Sequence, residues 1–171
     1  MGFIIVKQKL LDLGCGTAKH PEAFGIDAVE LEGVDLVYDL NKIPYPFKNN
    51  QFEKVIMNDI LEHLDKPIDI LREVYRILKP KGTVEIRVLY WNHKYNYSDP
   101  QHKHAFTEIY FEFFCGKRRP YYMDYAFSDM KVSYNFTPEA ILEFGGNEEY
   151  LMKKSHFYCN IIDAMYVELI K

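Results

Sequence analysis

The stretch Leu11-Asp12-Leu13-Gly14-Cys15-Gly16 places two glycines, spaced as G-x-G, directly after an apolar strand. Glycine adopts backbone angles that a side chain forbids, so the turn at Gly14, Cys15 and Gly16 can bring its amides against a ligand. Asp12 would either orient this turn or contact an ammonium group of the ligand. We therefore expect a ligand-binding site to begin at these glycines.

A second acid indicates that the ligand is a nucleoside. Asp27 follows the apolar residues Phe24 and Ile26 at the predicted end of the next strand, where a carboxylate can accept hydrogen bonds from both ribose hydroxyls. The alternative is that Asp27 only stabilises a turn at the end of the strand.

The short connection between these strands bears on which nucleoside is bound. Only about ten residues, beginning at Cys15 and including Pro21, separate the two strands, which is too few for a full crossover helix. The N-terminus of such a helix is what binds the pyrophosphate of a dinucleotide. The spacing therefore favours S-adenosylmethionine, which has no phosphate, over NAD.

Four segments in order carry a resemblance to a known family. They read LLDLGCG at 10–16, FGIDAVE at 24–30, VDLVYDLNKIPYPFKNNQFEKVIMNDILEHL at 34–64 and ILREVYRILKPKGTVEIRV at 70–88. In this order they resemble a class I S-adenosylmethionine-dependent methyltransferase, in particular a compact, type 11-like methyltransferase domain. The resemblance covers roughly half of the chain, from Leu10 to Leu89.

The predicted fold is an α/β domain with an open, mostly parallel sheet of about seven strands, of the Rossmann-like methyltransferase type. We expect an antiparallel pair at one edge and fewer helices than usual on one face. An amphipathic helix is predicted over 68–78, capped by Asp65, with Pro67 in its first turn and a stop at 79–82. The predicted strands are 9–13, 24–27, 35–38, 54–57, 83–89, 130–136 and 165–170, and two further helices are predicted over 105–114 and 138–144.

Three more cofactor contacts are implied by the ends of the predicted strands, where ligands bind in open α/β sheets. Asp39 is a candidate acceptor for the adenine amino group, with Leu40 packing on the ring, and the resemblance implies the same role. The alternative for Asp39 is a turn cap. Asn58 follows the fourth strand, where enzymes of this kind frame the methyl group, so methyl transfer is expected near residue 58.

Histidines supply the candidates for a general base, which would help if the acceptor is a hydroxyl. His63 and His104 are the candidate catalytic residues. Alternatively, Leu61 and Leu64 pack inward and His63 binds a backbone carbonyl. His102 and His104, joined by His93, are also considered as metal ligands, but solvated loop histidines are the simpler interpretation, and we predict no metal site.

The aromatic run at 121–127 has two interpretations. Its Tyr and Phe side chains would form a lid that excludes water from an acceptor, or they would simply pack against the sheet edge or a subunit contact. Residues 117–119 form a small basic cluster that we interpret as a solvated loop. The lid interpretation assigns this run to the site, and the packing interpretation does not.

Composition limits the partners of the protein. A chain of 171 residues with 48% hydrophobic residues fits a single domain over 1–171, with a cofactor half at 1–90 and an acceptor half at 91–171. A net charge of −4 argues against a nucleic-acid partner, and the apolar runs are too short for a membrane span. We expect a soluble, cytoplasmic protein, monomeric or homodimeric, with a small-molecule acceptor.

The predicted function is methyl transfer from S-adenosylmethionine to an acceptor that the sequence does not identify. Such transfer is an in-line displacement at the sulfonium carbon, so alignment of the two substrates supplies most of the catalysis. Two alternatives stay open: a catalytically inactive protein that binds a nucleoside or S-adenosylmethionine, and an NAD-dependent oxidoreductase. The absence of a crossover helix that could bind a pyrophosphate disfavours the NAD-dependent oxidoreductase.

Overall fold

A computed structural model describes residues 2–171 of the chain, and in this part seven strands form one sheet. The spatial order is β3-β2-β1-β4-β5-β7-β6, and only β7 is antiparallel to its neighbours. The prediction of a mostly parallel α/β sheet with an antiparallel edge is thereby confirmed. The strands are β1 (Leu10–Leu13), β2 (Phe24–Asp27), β3 (Leu36–Val37), β4 (Phe52–Asn58), β5 (Leu78–Leu89), β6 (Asp129–Phe136) and β7 (Ile162–Ile170).

The helices are few and mostly short in the described chain. The longest is α1 (Pro67–Ile77), and the others are α2 (Tyr95–Ser98), α3 (Glu108–Glu112), α4 (Pro138–Phe144) and α5 (Glu148–Ser155). Residues 14–23, between β1 and β2, contain no helix, as their length predicts. None of the helices in residues 2–171 has the length and hydrophobicity needed to cross a bilayer.

The two faces of the sheet differ in chemistry because side chains alternate along each strand. Val84, Ile86 and Val88 of β5 are buried on the face that α1 covers. On the opposite face Glu85 pairs with Lys54 of β4, at 2.6 Å, and the strands β5 to β6 also carry charged side chains there. This polar face accounts for the reduced number of helices.

The prediction of α1 needs two corrections at its ends. Pro67 stands in the first turn as predicted, but Asp65 does not cap the helix; its carboxylate binds Lys103 at 2.6 Å instead. The helix ends at Ile77, and residues 79–82 are not a separate turn. They lie in the irregular start of β5, where Lys81 takes a positive φ of 66° and Gly82 lies too close to the Glu53 carbonyl to carry a side chain.

The second half of the chain was only partly predicted. The helix 138–144 and the pairing of β6 with β7 are confirmed. The helix predicted over 105–114 is shorter, because regular α-helix covers only Glu108–Glu112 before a 3-10 turn. The helices α2 and α5 were not predicted; α2 is a single turn, and α5 has little amphipathic character.

Candidate active site

The glycine turn lies at the carboxyl end of β1 and is bound to β2. Gly14 and Cys15 donate their amides to the carbonyl of Ile26, at 2.8 and 3.1 Å. Gly14 has a φ of 71°, and a Cβ atom placed on it would lie 2.4 Å from Cγ1 of Ile60. Gly16 has a φ of 50°, but a Cβ atom there would meet open space. Gly14 is therefore required by packing, whereas Gly16 leaves room beside the turn.

Cys15 contributes its backbone to this turn and not a reactive thiol. Its side chain is buried, and burial, together with the nearby Asp12 and Asp27 carboxylates, raises the pKa of the thiol to about 11. The thiolate that would act as a nucleophile is thus disfavoured at neutral pH.

Asp27 links the turn to the end of β2. One carboxylate oxygen accepts the amide of Gly16 at 2.9 Å, and the other accepts the amide of Val29 at 3.0 Å. These bonds are those of the turn residue considered above. A carboxylate has about four lone-pair sites, so Asp27 can still accept the hydroxyls of a ribose. Its turn role and its predicted cofactor role are compatible.

Asp12 is hydrogen-bonded to the end of the loop that follows the glycine turn, and not to the turn itself. It is buried, and its Oδ2 accepts the amide of His20 at 2.9 Å, which fixes the far end of the loop between β1 and β2. Burial raises the pKa of Asp12, and the His20 amide opposes that shift. Contact between Asp12 and an ammonium group of the cofactor stays a prediction.

Asp39 and Leu40 follow β3 and are engaged within the protein. Asp39 Oδ1 accepts the amide of Asn41 at 3.0 Å, which is the turn cap considered above. Leu40 is buried in the core, and its carbonyl accepts the hydroxyl of Tyr45 at 3.1 Å. Their predicted contacts with adenine stay predictions, and binding would require part of the Leu40 side chain to remain accessible from the cofactor side.

Asn58 is exposed at the end of β4 and is paired in the sheet with Arg87, which the sequence analysis did not identify as part of the site. Arg87 of β5 contacts the carboxylate of Asp59, donates to the Tyr166 hydroxyl at 3.3 Å and lies 3.7 Å from Asp163. Asn58 and Arg87 line a cavity of about 660 Å³ on the polar face of the sheet, which His20 also borders. The register of β4 with β5 is what joins these residues, and it has no local signature in the sequence.

Glu62 was also missed, although it stands next to His63. Its side chain is buried, with only 1% exposed, and both carboxylate oxygens are without a hydrogen-bond partner in residues 2–171. Burial is the main cause that raises the pKa of Glu62, to about 7. The group therefore exchanges its proton near neutral pH, which is unusual for a glutamate.

The structure does not bring His93 together with His102 and His104, the combination considered as metal ligands in the sequence. His93 is buried and lies 3.6 Å from Asp163, and its Nδ1 accepts the amide of Tyr95 at 3.4 Å. Burial lowers the pKa of His93 despite Asp163. His93 is thus engaged away from the other histidines. The group that the structure does bring together is His63, Asp99 and His102.

His104, the second candidate base, lies beside a different cavity. It borders a space of about 400 Å³ with Asp65, Ile68 and Tyr110, and its Nε2 is buried with no hydrogen-bond partner in the described chain. His63 and His104 therefore stay predicted bases at separate positions. The centroid of the His63 ring lies 4.7 Å from that of His102. The centroid of the His104 ring lies 6.1 Å from that of Phe106.

The aromatic run at 121–127 packs against α1 at its C-terminal end, whereas Tyr121 and Tyr122 are exposed. Tyr125 and Phe127 contact Tyr75 in the last turns of α1, with ring centroids 4.9 and 5.1 Å apart, and Phe127 is buried. The last turns of α1 lie near the amino ends of the parallel strands, opposite the glycine turn, because the chain passes from α1 directly into the start of β5. The packing interpretation accounts for these two residues, and the lid interpretation does not. Residues 117–119 are exposed, as predicted.

The glycine turn lies at the carboxyl end of one parallel strand and is hydrogen-bonded to an acid at the end of the next. This arrangement defines a Rossmann-like nucleoside-binding domain. A family model described as a methyltransferase domain matches residues 3–141. The chain belongs to this methyltransferase-domain family, which confirms the resemblance seen in the sequence.

Solved structures with the same fold agree with this assignment. An S-adenosylmethionine-dependent methyltransferase from Archaeoglobus fulgidus is 19% identical, with a TM-score of 0.72, over 95% of this chain and 85% of that one. Phosphoethanolamine N-methyltransferase 2 of Haemonchus contortus, solved with phosphomonomethylethanolamine and S-adenosylhomocysteine, is 18% identical, with a TM-score of 0.65, over 99% of this chain and 50% of that one.

A curated relative matches a shorter stretch at higher identity. A ubiquinone/menaquinone biosynthesis C-methyltransferase of Desulfotalea psychrophila is 44% identical over 52 residues, which are 30% of this chain and 20% of that protein. The chain spans less than half the length of the curated relatives that it matches.

Proposed function

We propose that the protein transfers the methyl group of S-adenosylmethionine to a small-molecule acceptor at the carboxyl edge of its sheet. The observation that carries the proposal is the interlock between the glycine turn and Asp27, in which the Gly16 amide donates to Asp27 Oδ2 at 2.9 Å. It holds a carboxylate, which could accept the ribose hydroxyls, beside a turn that has open space at Gly16. Membership of the methyltransferase family and the fold of the solved methyltransferases support the same cofactor.

The chain's residues would contribute mainly alignment and shielding. S-adenosylmethionine would bind across the ends of β1, β2 and β3, and its methyl group would point toward Asn58 at the end of β4. A nucleophilic acceptor atom displaces the sulfide from the methyl carbon, and the sulfonium becomes neutral S-adenosylhomocysteine. If the acceptor is a hydroxyl, its proton would pass to His63 or to solvent. A small-molecule acceptor is favoured by the net charge of −4, which is unsuited to nucleic acid.

The cofactor part of this proposal is tested by calorimetric titration with S-adenosylhomocysteine, which requires no known acceptor. We expect the wild type to bind with micromolar affinity and Asp27→Ala to bind about a hundredfold more weakly or not at all, because two charge-assisted hydrogen bonds are lost. Asp129→Ala is the matched control, because Asp129 is exposed and begins β6, the edge strand farthest from β2 in the sheet order.

Two further measurements make this test decisive. Asp27→Asn retains an oxygen for one backbone amide, so its weakened binding with an unchanged thermal melt would assign the loss to the cofactor and not to the fold. A wild-type protein that is folded and binds NADH but not S-adenosylhomocysteine would contradict the proposal.

A further inference from the structure

Three metal-ligand side chains lie together at the carboxyl edge of the sheet. One ligand atom from each of His63, Asp99 and His102 lies within 4.8 Å of the other two. We propose that His63, Asp99 and His102 form a binding site for one divalent transition-metal ion of the zinc type. The proposal goes beyond the proposed methyl transfer. An ion bound by His63 would leave solvent as the acceptor of a hydroxyl proton, because a metal-bound imidazole nitrogen has no free lone pair.

The backbone holds the two contributing segments side by side. His63 ends the 3-10 turn Leu61–His63, which follows β4, whereas Asp99 and His102 follow α2. The Lys103 amide donates to the carbonyl of Glu62 at 2.8 Å, and the His102 amide donates to the carbonyl of Asp99 at 3.3 Å. Each ligand residue is therefore next to, or part of, a backbone hydrogen bond that fixes its position.

Both histidines have a ring nitrogen that the protein leaves without a partner. The Nδ1 atoms of His63 and His102 are buried from solvent and make no hydrogen bond within residues 2–171. The His102 side chain is only 8% exposed, and its Nε2 lies 3.8 Å from Asp99 Oδ2, beyond hydrogen-bonding distance. The His102 atom measured toward Asp99 is thus Nε2, and neither Nδ1 atom is committed to another group of the protein.

The donor set selects the kind of ion. Two imidazoles and one carboxylate suit zinc and its first-row neighbours better than magnesium or calcium, which prefer oxygen ligands. Tetrahedral bonds of about 2.0–2.2 Å to zinc place two ligand atoms about 3.3–3.6 Å apart, so ligand atoms up to 4.8 Å apart must move closer when the ion binds. Asp99, which is 44% exposed, can make that movement. Three protein ligands leave a fourth position for water or another small ligand.

The sequence prediction of no metal site weighed a different set of residues from the one that the structure brings together. It combined the wrong histidines, because His93 is engaged with Asp163. It also overlooked Asp99, which stands three residues before His102. His63, far from both in sequence, completes the group only through the fold.

The test is a titration of untagged, chelator-treated full-length protein with Co²⁺, followed by its visible absorption, and then by competition with Zn²⁺. We expect one tight Co²⁺ per chain in the wild type. His63→Ala and His102→Ala should each weaken binding at least about tenfold, since loss of even an outer-shell partner has that effect. His156→Ala is the matched control, because His156 is exposed and outside the cluster.

Asp99→Asn covers the case in which His102→Ala fails to fold. Asp99 is exposed, so this variant should keep the wild-type circular dichroism and thermal melt while it binds Co²⁺ more weakly. The proposal is overturned if the wild type binds no Co²⁺, if the cluster variants bind it as the wild type does, or if only His156→Ala loses it. None of these measurements needs S-adenosylmethionine or an acceptor, so the proposed function is not at stake in them.

Discussion

The proposed cofactor side and the proposed acceptor side of the molecule differ in how their polar groups are hydrogen-bonded. On the proposed cofactor side, residues 10–45, the carboxylates Asp12, Asp27 and Asp39 each accept a backbone amide. On the proposed acceptor side, residues 61–64 and 90–104, buried polar atoms of Glu62, His63 and His102 have no hydrogen-bond partner in the described chain. The loops of the first side are therefore fixed by their own hydrogen bonds, whereas the second contains unpaired buried donors and acceptors.

The largest effect is expected at the glycine turn, and it tests whether the cofactor side is fixed by packing. Gly14→Ala should lower the free energy of unfolding by about 2–4 kcal/mol, because it adds left-handed strain and a collision with Ile60. Gly16→Ala should cost only the strain, about 1–2 kcal/mol, because its Cβ meets open space. Urea unfolding of both variants measures the difference.

The same pair of variants separates stability from binding. Gly16→Ala, although the more stable of the two, should bind S-adenosylhomocysteine weakly, since its methyl group occupies the space left for the cofactor. Equal stability of the two variants would contradict the packing at Gly14, and wild-type binding by Gly16→Ala would remove Gly16 from the site.

The next effect concerns Glu62 and tests whether the acceptor side carries a destabilising buried acid. A carboxyl group whose pKa rises from its ordinary 4.5 to about 7 on folding binds more protons in the folded state between these pH values. Stability therefore falls as the pH rises from about 4.5 to 7, by as much as about 3 kcal/mol. Glu62→Gln should be about 1–3 kcal/mol more stable than the wild type at pH 8 and similar to it at pH 4.

Denaturant unfolding at several pH values checks this prediction. Glu32→Gln serves as the control, because Glu32 is exposed and should leave the pH dependence unchanged. A Glu62→Gln profile parallel to that of the wild type would mean that Glu62 does not take up a proton on folding.

The smallest effect compares two buried tyrosine hydroxyls, one that is hydrogen-bonded and one that is not. The Tyr45 hydroxyl donates to the Leu40 carbonyl at 3.1 Å, whereas the Tyr125 hydroxyl has no partner in residues 2–171. Tyr45→Phe should destabilise the protein by about 1 kcal/mol, and Tyr125→Phe should be neutral or slightly stabilising. Thermal melts of the two variants decide this; an equal loss in both would show that Tyr125 is hydrogen-bonded after all.

The cofactor side was largely predictable from the sequence because its signals are local. The apolar strands, the G-x-G turn and the acid after β2 lie within residues 10–27, and the short connection correctly predicted that no helix joins β1 to β2. The helix α1 was visible from its apolar spacing, with an error only at its ends.

The acceptor side was poorly predictable because its groups meet across distant strands. Arg87 reaches Asp59 and Tyr166 through the register of β5 with β4 and β7, and His63 meets His102 through a backbone bond between separate segments. Nothing in the local sequence predicts that Glu62 is buried, because it stands between Leu61 and His63 in a turn that contains polar residues. Such juxtapositions depend on tertiary packing.

The central claim is that the cofactor binds at the carboxyl ends of β1 and β2, and a crystal structure with S-adenosylhomocysteine tests it most directly. We expect the adenosine to lie against Gly14 and Gly16, with its ribose hydroxyls on Asp27. Density for the ligand only in the cavity of about 660 Å³ on the polar face, beside Lys131 and Glu168, would contradict the claim.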